Sequence, residues 1–198
     1  MTSRAVVASW SAVQWLLAPG YCKLQLKLVQ AHIGAIGQGR WLDVGCGPRH
    51  IGATRSPLPA GQLVGVDLAP PLAPRLINGW LPACASADLL PFPDQIFDGV
   101  FCFGLLHHLD ERQALMALAE MRRVLRPGGV ALVFDAVTPR SALRRPLAAL
   151  LRALDRGRYM RPESALHDLL GEKGFRPGPR MTYAWTGLEG CVGVLRAM

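Results

Sequence analysis

The residues best suited to chemistry in this sequence stand where short apolar runs end. The run Trp41–Val44 contains Asp43 and is followed by the turn Gly45–Gly47. Glycines let the backbone approach a ligand closely, because no Cβ atom intervenes. A second run, Leu63–Val66, is followed by Asp67, about 20 residues after the turn, where a carboxylate can accept hydrogen bonds from ribose hydroxyls. This spacing predicts a site for a nucleotide-containing cofactor.

Two adjacent histidines, His107 and His108, follow another apolar run, Gly99–Phe103. Ligands of α/β proteins bind at the carboxyl ends of the strands, so either imidazole is a candidate general base. The neighbouring leucines also suit a packed corner, in which one histidine hydrogen-bonds to the backbone and His108 lines the cofactor pocket. The cysteines and histidines do not stand at metal-ligand spacing, so no metal site is predicted.

The elements that must position these residues are short apolar segments alternating with helices. Segments of about 4 to 6 residues suit strands buried on both faces of a parallel sheet, so an α/β doubly wound fold is expected. Residues 10–36 look largely helical. The clearest helix is 111–125, which Asp110 and Gln113 can start with a capping box. The strand candidates are Trp41–Val44, Leu63–Val66, Ala83–Ala87, Gly99–Phe103 and Val130–Phe134, with 180–185 and 191–196 closing an antiparallel C-terminal edge.

Composition narrows the class of protein further. The chain has 198 residues, of which 51% are hydrophobic and 18% charged, enough for one buried core and unlike an intrinsically disordered chain. The longest uncharged run, Ala5–Cys22, is interrupted by Pro19, so neither a membrane span nor a signal peptide is predicted. The five cysteines are scattered, which is typical of reduced thiols in a cytoplasmic protein.

Two nucleotide cofactors compete for the glycine turn. The dinucleotide-binding fingerprint needs a third glycine where this chain has His50, and it gives no role to Asp43. The pattern Asp-x-Gly-x-Gly instead resembles motif I of class I S-adenosylmethionine-dependent methyltransferases. Further segments resemble that family's successive signatures, in the family's order over residues 40–137, and are most similar to the UbiE-like group that methylates small molecules. These segments are 87–89, 91–98, 103–109 and 124–129.

The resemblance implies roles for the residues around the methionine part of the cofactor. Gly45, Cys46 and Gly47 would pass beneath it. Asp43 would support the turn and lie near the amino group, and Phe103 would border the methionine chain. From the residues alone we interpret Cys46 as a small turn residue, because no neighbouring base in the sequence activates its thiol.

The resemblance also implies roles at the nucleoside part. Asp67 would accept from both ribose hydroxyls, and Leu68 would pack on the adenine. Asp88 would accept from the exocyclic amine of adenine, while the backbone of Leu89 meets a ring nitrogen. The chain departs from the family at Arg49, where glycine is common.

A basic segment follows the predicted fifth strand. Residues 140–161 contain seven arginines and the single acid Asp155, and leucines are interleaved with them, so a basic amphipathic helix is predicted. Three interpretations stay open: a solvated surface helix, a lid over an anionic or amphiphilic acceptor, and a peripheral contact of Arg140–Arg161 with a membrane. Nucleic acid is not an expected partner, because only Tyr159 could stack on bases nearby.

These observations predict a single methyltransferase domain of Rossmann-like fold, with a mostly parallel sheet, an antiparallel C-terminal edge and helices on both faces. Its parts would be an N-terminal helical segment 1–39, a cofactor core 40–137, a basic insert or lid 138–175 and closing strands 176–198. The expected reaction transfers a methyl group from S-adenosylmethionine to O, C or N of a small, hydrophobic or acidic molecule and leaves S-adenosylhomocysteine. The alternatives are an NAD-dependent oxidoreductase and a catalytically inactive S-adenosylmethionine-binding partner protein; no particular oligomeric state is indicated.

Overall fold

A computed structural model of the chain describes residues 20–36, 39–47, 63–68, 81–155 and 157–198. The strands in these ranges are β1 (Trp41–Val44), β2 (Leu63–Asp67), β3 (Leu81–Cys84), β4 (Phe97–Phe103), β5 (Leu125–Ala136), β6 (Arg176–Thr182) and β7 (Glu189–Arg196). They form one sheet with the order β3-β2-β1-β4-β5-β7-β6. The first five run parallel, whereas β7 pairs antiparallel with both β5 and β6. The predicted mostly parallel sheet with an antiparallel C-terminal edge is confirmed.

Helices cover both faces of this sheet. They are α1 (Tyr21–Ile36), α2 (Glu111–Val124), α3 (Pro146–Ala153) and α4 (Glu163–Glu172), and a short 3-10 turn spans Leu106–His108. Successive strand residues point to opposite faces. Leu42 and Val100 therefore lie in the core beneath α2 and α4, while Trp41 and Phe101 lie in a second core beneath α1. Two cores on one sheet are the doubly wound arrangement that the short apolar runs indicate.

The structure shifts several predicted boundaries. Residues 10–19 of the predicted first helix lie outside the described residues. The third strand ends at Cys84, because the chain leaves the sheet there and closes a turn with an isolated bridge between Ser86 and Leu89. The fifth strand begins at Leu125, which already has extended angles (φ −76°, ψ 136°). Arg126, the residue before Pro127, is also biased toward extended backbone.

The start of α2 agrees with the prediction. The Asp110 carboxylate accepts from the Gln113 backbone N–H at 2.8 Å, and the Gln113 side chain accepts from the Asp110 N–H at 3.2 Å. This capping box fixes the first turn of the helix directly after the two histidines.

The described residues contain no helix that is both long and apolar enough to cross a membrane. The cysteines whose side chains are described, Cys46, Cys84, Cys102 and Cys191, are all free thiols, and only Cys84 is exposed.

Candidate active site

The glycine turn is tied to the neighbouring strand by the backbone. The N–H groups of Gly45 and Cys46 donate to the Val66 carbonyl oxygen at 2.8 and 3.0 Å. Gly45 (φ 75°) and Gly47 (φ 59°) both adopt the left-handed conformation that side chains disfavour. A Cβ atom on Gly45 would also come within 2.9 Å of the Leu105 side chain, so the turn requires glycine there.

Two carboxyl groups flank this turn. The Gly47 N–H donates to Asp67 Oδ2 at 2.9 Å, which fixes the Asp67 carboxylate against the turn. Asp43 is 4% exposed, and burial and the nearby charge of Asp67 raise its pKa well above the usual value. A positively charged group near Asp43 would favour its ionised form.

The residues predicted to contact adenine follow the ends of β2 and β3. The Ala85 N–H donates to the Asp67 carbonyl oxygen at 3.2 Å, which joins the two strand ends. Leu68 is 71% and Leu89 76% exposed, so both present large apolar side chains to the outside. Asp88 accepts a hydrogen bond from the Ser86 hydroxyl.

The backbone N–H of Leu89 donates to the Ser86 carbonyl at 3.2 Å. That N–H would have to share or exchange this bond to meet an adenine ring nitrogen. The contact therefore stays a prediction, as do the ligand contacts of Leu68 and Asp88.

Phe103 and Cys46 belong to the core beneath α1. Phe103 is 7% exposed and stacks on Phe101 with ring centroids 5.4 Å apart. Burial, together with the charges of Asp43 and Asp67, raises the pKa of the Cys46 thiol well above its usual value. The thiol therefore stays protonated, in keeping with a small turn residue. Arg49 lies outside the described residues.

The two histidines occupy different environments. His107 is buried, and its Nδ1 lies 2.5 Å from Asp135 Oδ1. Its backbone N–H donates to Asp135 Oδ2 at 3.1 Å, and its Nε2 faces Asp155 Oδ1 at 3.7 Å. His108 is exposed, and its ring centroid lies 4.1 Å from that of His107. Both ring nitrogens of His107 thus face carboxylates.

These environments shift the pKa values of the two imidazoles in opposite directions. Burial alone would lower the pKa of His107, but the charge and hydrogen bond of Asp135, with the charge of Asp155, raise it. Partial desolvation and the adjacent positive charge of His107 lower the pKa of His108. His107 therefore favours the imidazolium form, whereas His108 keeps a neutral ring that can accept a proton.

Part of the basic segment is hydrogen-bonded to the backbone of the turn that bears these histidines. The Tyr159 N–H donates to the His107 carbonyl oxygen at 3.0 Å. The Arg161 guanidinium donates to the carbonyl oxygens of Leu106 at 2.8 Å and Leu109 at 3.0 Å. A Cβ atom on Gly157 would come within 2.1 Å of the His107 ring, so the chain passes this close only with glycine.

Sequence reasoning did not assign Asp135 or Asp155 to the site. A signal for Asp135 was present, since it follows an apolar run at a strand end as Asp67 does. Asp155 was visible as the single acid of the basic segment. Neither position indicated His107 as its partner, because 28 residues separate Asp135 from His107 and only the sheet brings them together.

Comparison with known proteins identifies the cofactor core. Residues 42–133 match the family described as "Methyltransferase domain". The chain carries a class I S-adenosylmethionine-dependent methyltransferase domain. Its resemblance to the UbiE-like group is confirmed, since it is 36% identical over 121 residues to the ubiquinone/menaquinone biosynthesis C-methyltransferase UbiE of Geobacter sulfurreducens, covering 53% of this chain and 44% of that protein. The match favours S-adenosylmethionine over NAD as the cofactor of this methyltransferase domain.

Another relative is named for a different acceptor. The domain is 31% identical over 110 residues to the tRNA U34 carboxymethyltransferase of Saccharophagus degradans, covering 51% of this chain and 33% of that protein. The chain thus spans less than half the length of these curated relatives.

A solved structure shares the fold over nearly the whole length. The 1,6-didemethyltoxoflavin-N1-methyltransferase of Burkholderia thailandensis, with bound S-adenosylhomocysteine, superposes with a TM-score of 0.68 at 19% identity, covering 100% of this chain and 92% of that one. Identity this low supports the fold of the methyltransferase domain, not its acceptor.

Proposed function

We propose that the protein transfers the methyl group of S-adenosylmethionine to a small-molecule acceptor. The observation that carries this proposal is the Gly45–Gly47 turn, which is held against Val66 and Asp67 at the carboxyl edge of the parallel sheet. Ligands of doubly wound folds bind at this edge. The bound cofactor supplies a methyl group already activated by its sulfonium, so the protein has to align the acceptor and exclude water.

The residues present fit such a zwitterionic cofactor. A Cβ atom on Gly47 would meet no described atom within 4 Å, so the described residues leave space beside the turn. Asp43 is a buried carboxyl with a raised pKa, and the charge of an ammonium group would favour its ionised form. Binding would then release a proton from Asp43 at a pH below its raised pKa. Asp67 lies within reach of the turn to accept from ribose hydroxyls.

We assign the role of proton acceptor to His108, not His107. Its lowered pKa keeps the imidazole neutral near pH 7, so the ring can accept a proton. A base is needed only where the acceptor enters protonated. His107 is a positioning residue, because it is held between Asp135 and Asp155 and supports the loop that bears His108.

The charge of the basic segment supports a small acceptor over tRNA. Four of its arginines are engaged within the protein and so do not present a continuous basic face to phosphates. Their partners are Glu163 for Arg140, Glu189 for Arg145, Tyr183 and the Glu189 carbonyl for Arg152, and backbone carbonyls for Arg161.

Calorimetric titration of the whole chain tests the cofactor assignment. We expect S-adenosylmethionine and S-adenosylhomocysteine to bind and NAD not to bind. Repeating the titration in buffers with different ionisation enthalpies should reveal proton release, which Asp43→Asn should abolish. Preference for NAD would overturn the proposed function, and a proton count equal in both proteins would remove Asp43 from the cofactor site.

Transfer of labelled methyl from S-adenosylmethionine tests the acceptor class. We expect labelled product with a small-molecule extract and none with bulk tRNA; labelling of tRNA alone would contradict the proposal. Cofactor binding with no transfer to either pool would support the inactive partner protein instead. His108→Asn should lower turnover and remove the acidic limb of its pH profile, whereas cofactor affinity should not change.

A further inference from the structure

Helix α3 has an unusual distribution of polar and apolar side chains. A helix on the surface of a protein normally turns apolar residues inward and charged residues outward. At α3 two arginines face the body of the protein: Arg145 at the N-cap and Arg152 in the last turn. Arg145 Nη1 lies 2.8 Å from Glu189 Oε1 and donates to the Gly187 carbonyl at 3.1 Å. The Arg152 side chain is 8% exposed and donates to the Tyr183 hydroxyl at 2.6 Å.

The leucines of the same segment face outward. Leu147, Leu150 and Leu154 are three and four residues apart along α3 and its C-terminal cap, which places them on one stripe of the helix, and Leu143 lies in the turn before it. These leucines are Leu143, Leu147, Leu150 and Leu154, with exposures of 95%, 39%, 56% and 54%. We call these four residues the leucine stripe. The inward face of α3 is occupied by Ala148, which is 1% exposed, and by the Arg152 side chain.

The surroundings of the leucine stripe are aromatic and basic. The turn at Gly187 packs against α3, and Trp185, two residues earlier, is 71% exposed. Trp185 lines an open groove of about 540 Å³ together with Lys23 and Lys27, which are both exposed.

Two exposed arginines add to the basic charge. Among the described residues, the Arg144 and Arg158 guanidinium groups form no ion pair. Exposed leucines beside tryptophan and basic residues are the composition of helices that lie in the interface of an anionic bilayer.

We propose that the leucine stripe and Trp185 form a docking surface for an anionic lipid bilayer. The leucines enter the interface, Trp185 lies at headgroup depth, and Lys23, Lys27 and Arg144 approach the acidic headgroups. This differs from a contact made by the basic segment as a whole, because four of its arginines are engaged within the protein and two of these, Arg145 and Arg152, hold α3 in place. The inference does not depend on methyl transfer, since it rests only on exposed side chains outside the cofactor site.

Co-sedimentation with vesicles tests the docking surface. We expect the whole chain to bind vesicles that contain about one third phosphatidylglycerol far more strongly than pure phosphatidylcholine, with the difference shrinking at high salt. Leu150→Gln with Leu154→Gln should reduce binding at least tenfold, because glutamine keeps helix propensity but removes apolar area. The matched control is Met116→Gln, an exposed apolar residue of α2, which should bind as the parent does.

Several outcomes would overturn the docking surface. They are an absence of vesicle binding, equal binding by the double variant, and equal loss in Met116→Gln. A dimer that dissociates in the double variant, seen by light scattering, would assign the stripe to a second copy of the chain instead. Calorimetry with S-adenosylhomocysteine separates the two proposals, because the double variant should bind it unchanged. Lipid binding without cofactor binding would overturn only the proposed function.

Discussion

Two regions at the carboxyl edge of the sheet use buried carboxyl groups in opposite ways. Where β1 and β2 end, Asp43 lies beside Asp67, and burial with the second charge raises the pKa of Asp43. Where β4 and β5 end, burial would raise the pKa of Asp135, but His107 lowers it by its charge and hydrogen bond. The first region is suited to a cationic ligand, whereas the second already contains its cation. The ends of β1 and β2 therefore have the chemistry of a binding site, whereas the ends of β4 and β5 form a paired group that supports it.

The largest expected effect is on the free energy of unfolding, through the His107–Asp135 pair. Asp135→Asn leaves His107 buried without its main counter-charge, which should lower the free energy of unfolding by about 3 kcal/mol. Urea denaturation measures it, and adding His107→Gln should restore part of the loss. The surface acid Asp94, 72% exposed beside Arg123, is the control, and Asp94→Asn should change stability by less than about 0.5 kcal/mol. Strictly additive effects would show that His107 and Asp135 do not act as a pair.

A smaller effect is expected at the turn of the binding region. Gly45→Ala forces a side chain into left-handed backbone beside Leu105, at a cost of about 1 to 2 kcal/mol, and should also weaken S-adenosylmethionine binding. Gly171→Ala is the control, because it lies within α4 with open space around it and should stabilise the protein slightly. Thermal unfolding and calorimetry of both variants measure this. Unchanged cofactor affinity in Gly45→Ala would mean that the cofactor does not approach this turn.

Asp67→Ala should act on binding more than on folding. We expect cofactor affinity to fall at least tenfold, or about 1.4 kcal/mol, because the ribose acceptor and the partner of the Gly47 N–H are both lost. The exposed acid Asp168 of α4 offers a charge-matched control, since Asp168→Ala should bind the cofactor normally. If the Asp67 and Asp168 variants bind equally well, the ribose assignment fails.

The smallest expected effect is a dependence of the free energy of unfolding on pH. His107 has a raised pKa, so its contribution is complete below its usual value of 6.5 and is lost as the pH rises through the raised pKa. Asp135 has a lowered pKa, so its contribution is present above 3.8 and is lost as the pH falls through the lowered value. The free energy of unfolding, measured between pH 3.8 and 6.5 and again above pH 6.5, should fall as the pH rises above 6.5. Asp135→Asn should flatten that fall, and an unchanged slope would contradict the ion pair.

The strands that bear the site could be predicted because each is a short apolar run ending in a polar residue. Trp41–Val44 and Leu63–Asp67 form β1 and β2, and Asp110 caps α2 as its spacing indicates. The prediction of a basic amphipathic helix was less accurate. Hydrophobic periodicity indicates that the leucines share one side of a helix, but it does not indicate whether that side faces the core or the solvent. The position of Glu189 and Tyr183, on and before β7, turned the arginines of α3 inward.

The sequence by itself determined the parallel sheet, the glycine turn and the methyltransferase domain, since these depend on local patterns of a few residues. Only the tertiary structure separated His107 from His108. The two are adjacent in the chain, but Asp135 from β5 and Asp155 after α3 both approach the first ring, while the second is exposed. Charge and burial set the pKa of an imidazole, and both depend on groups that the fold brings from elsewhere in the chain.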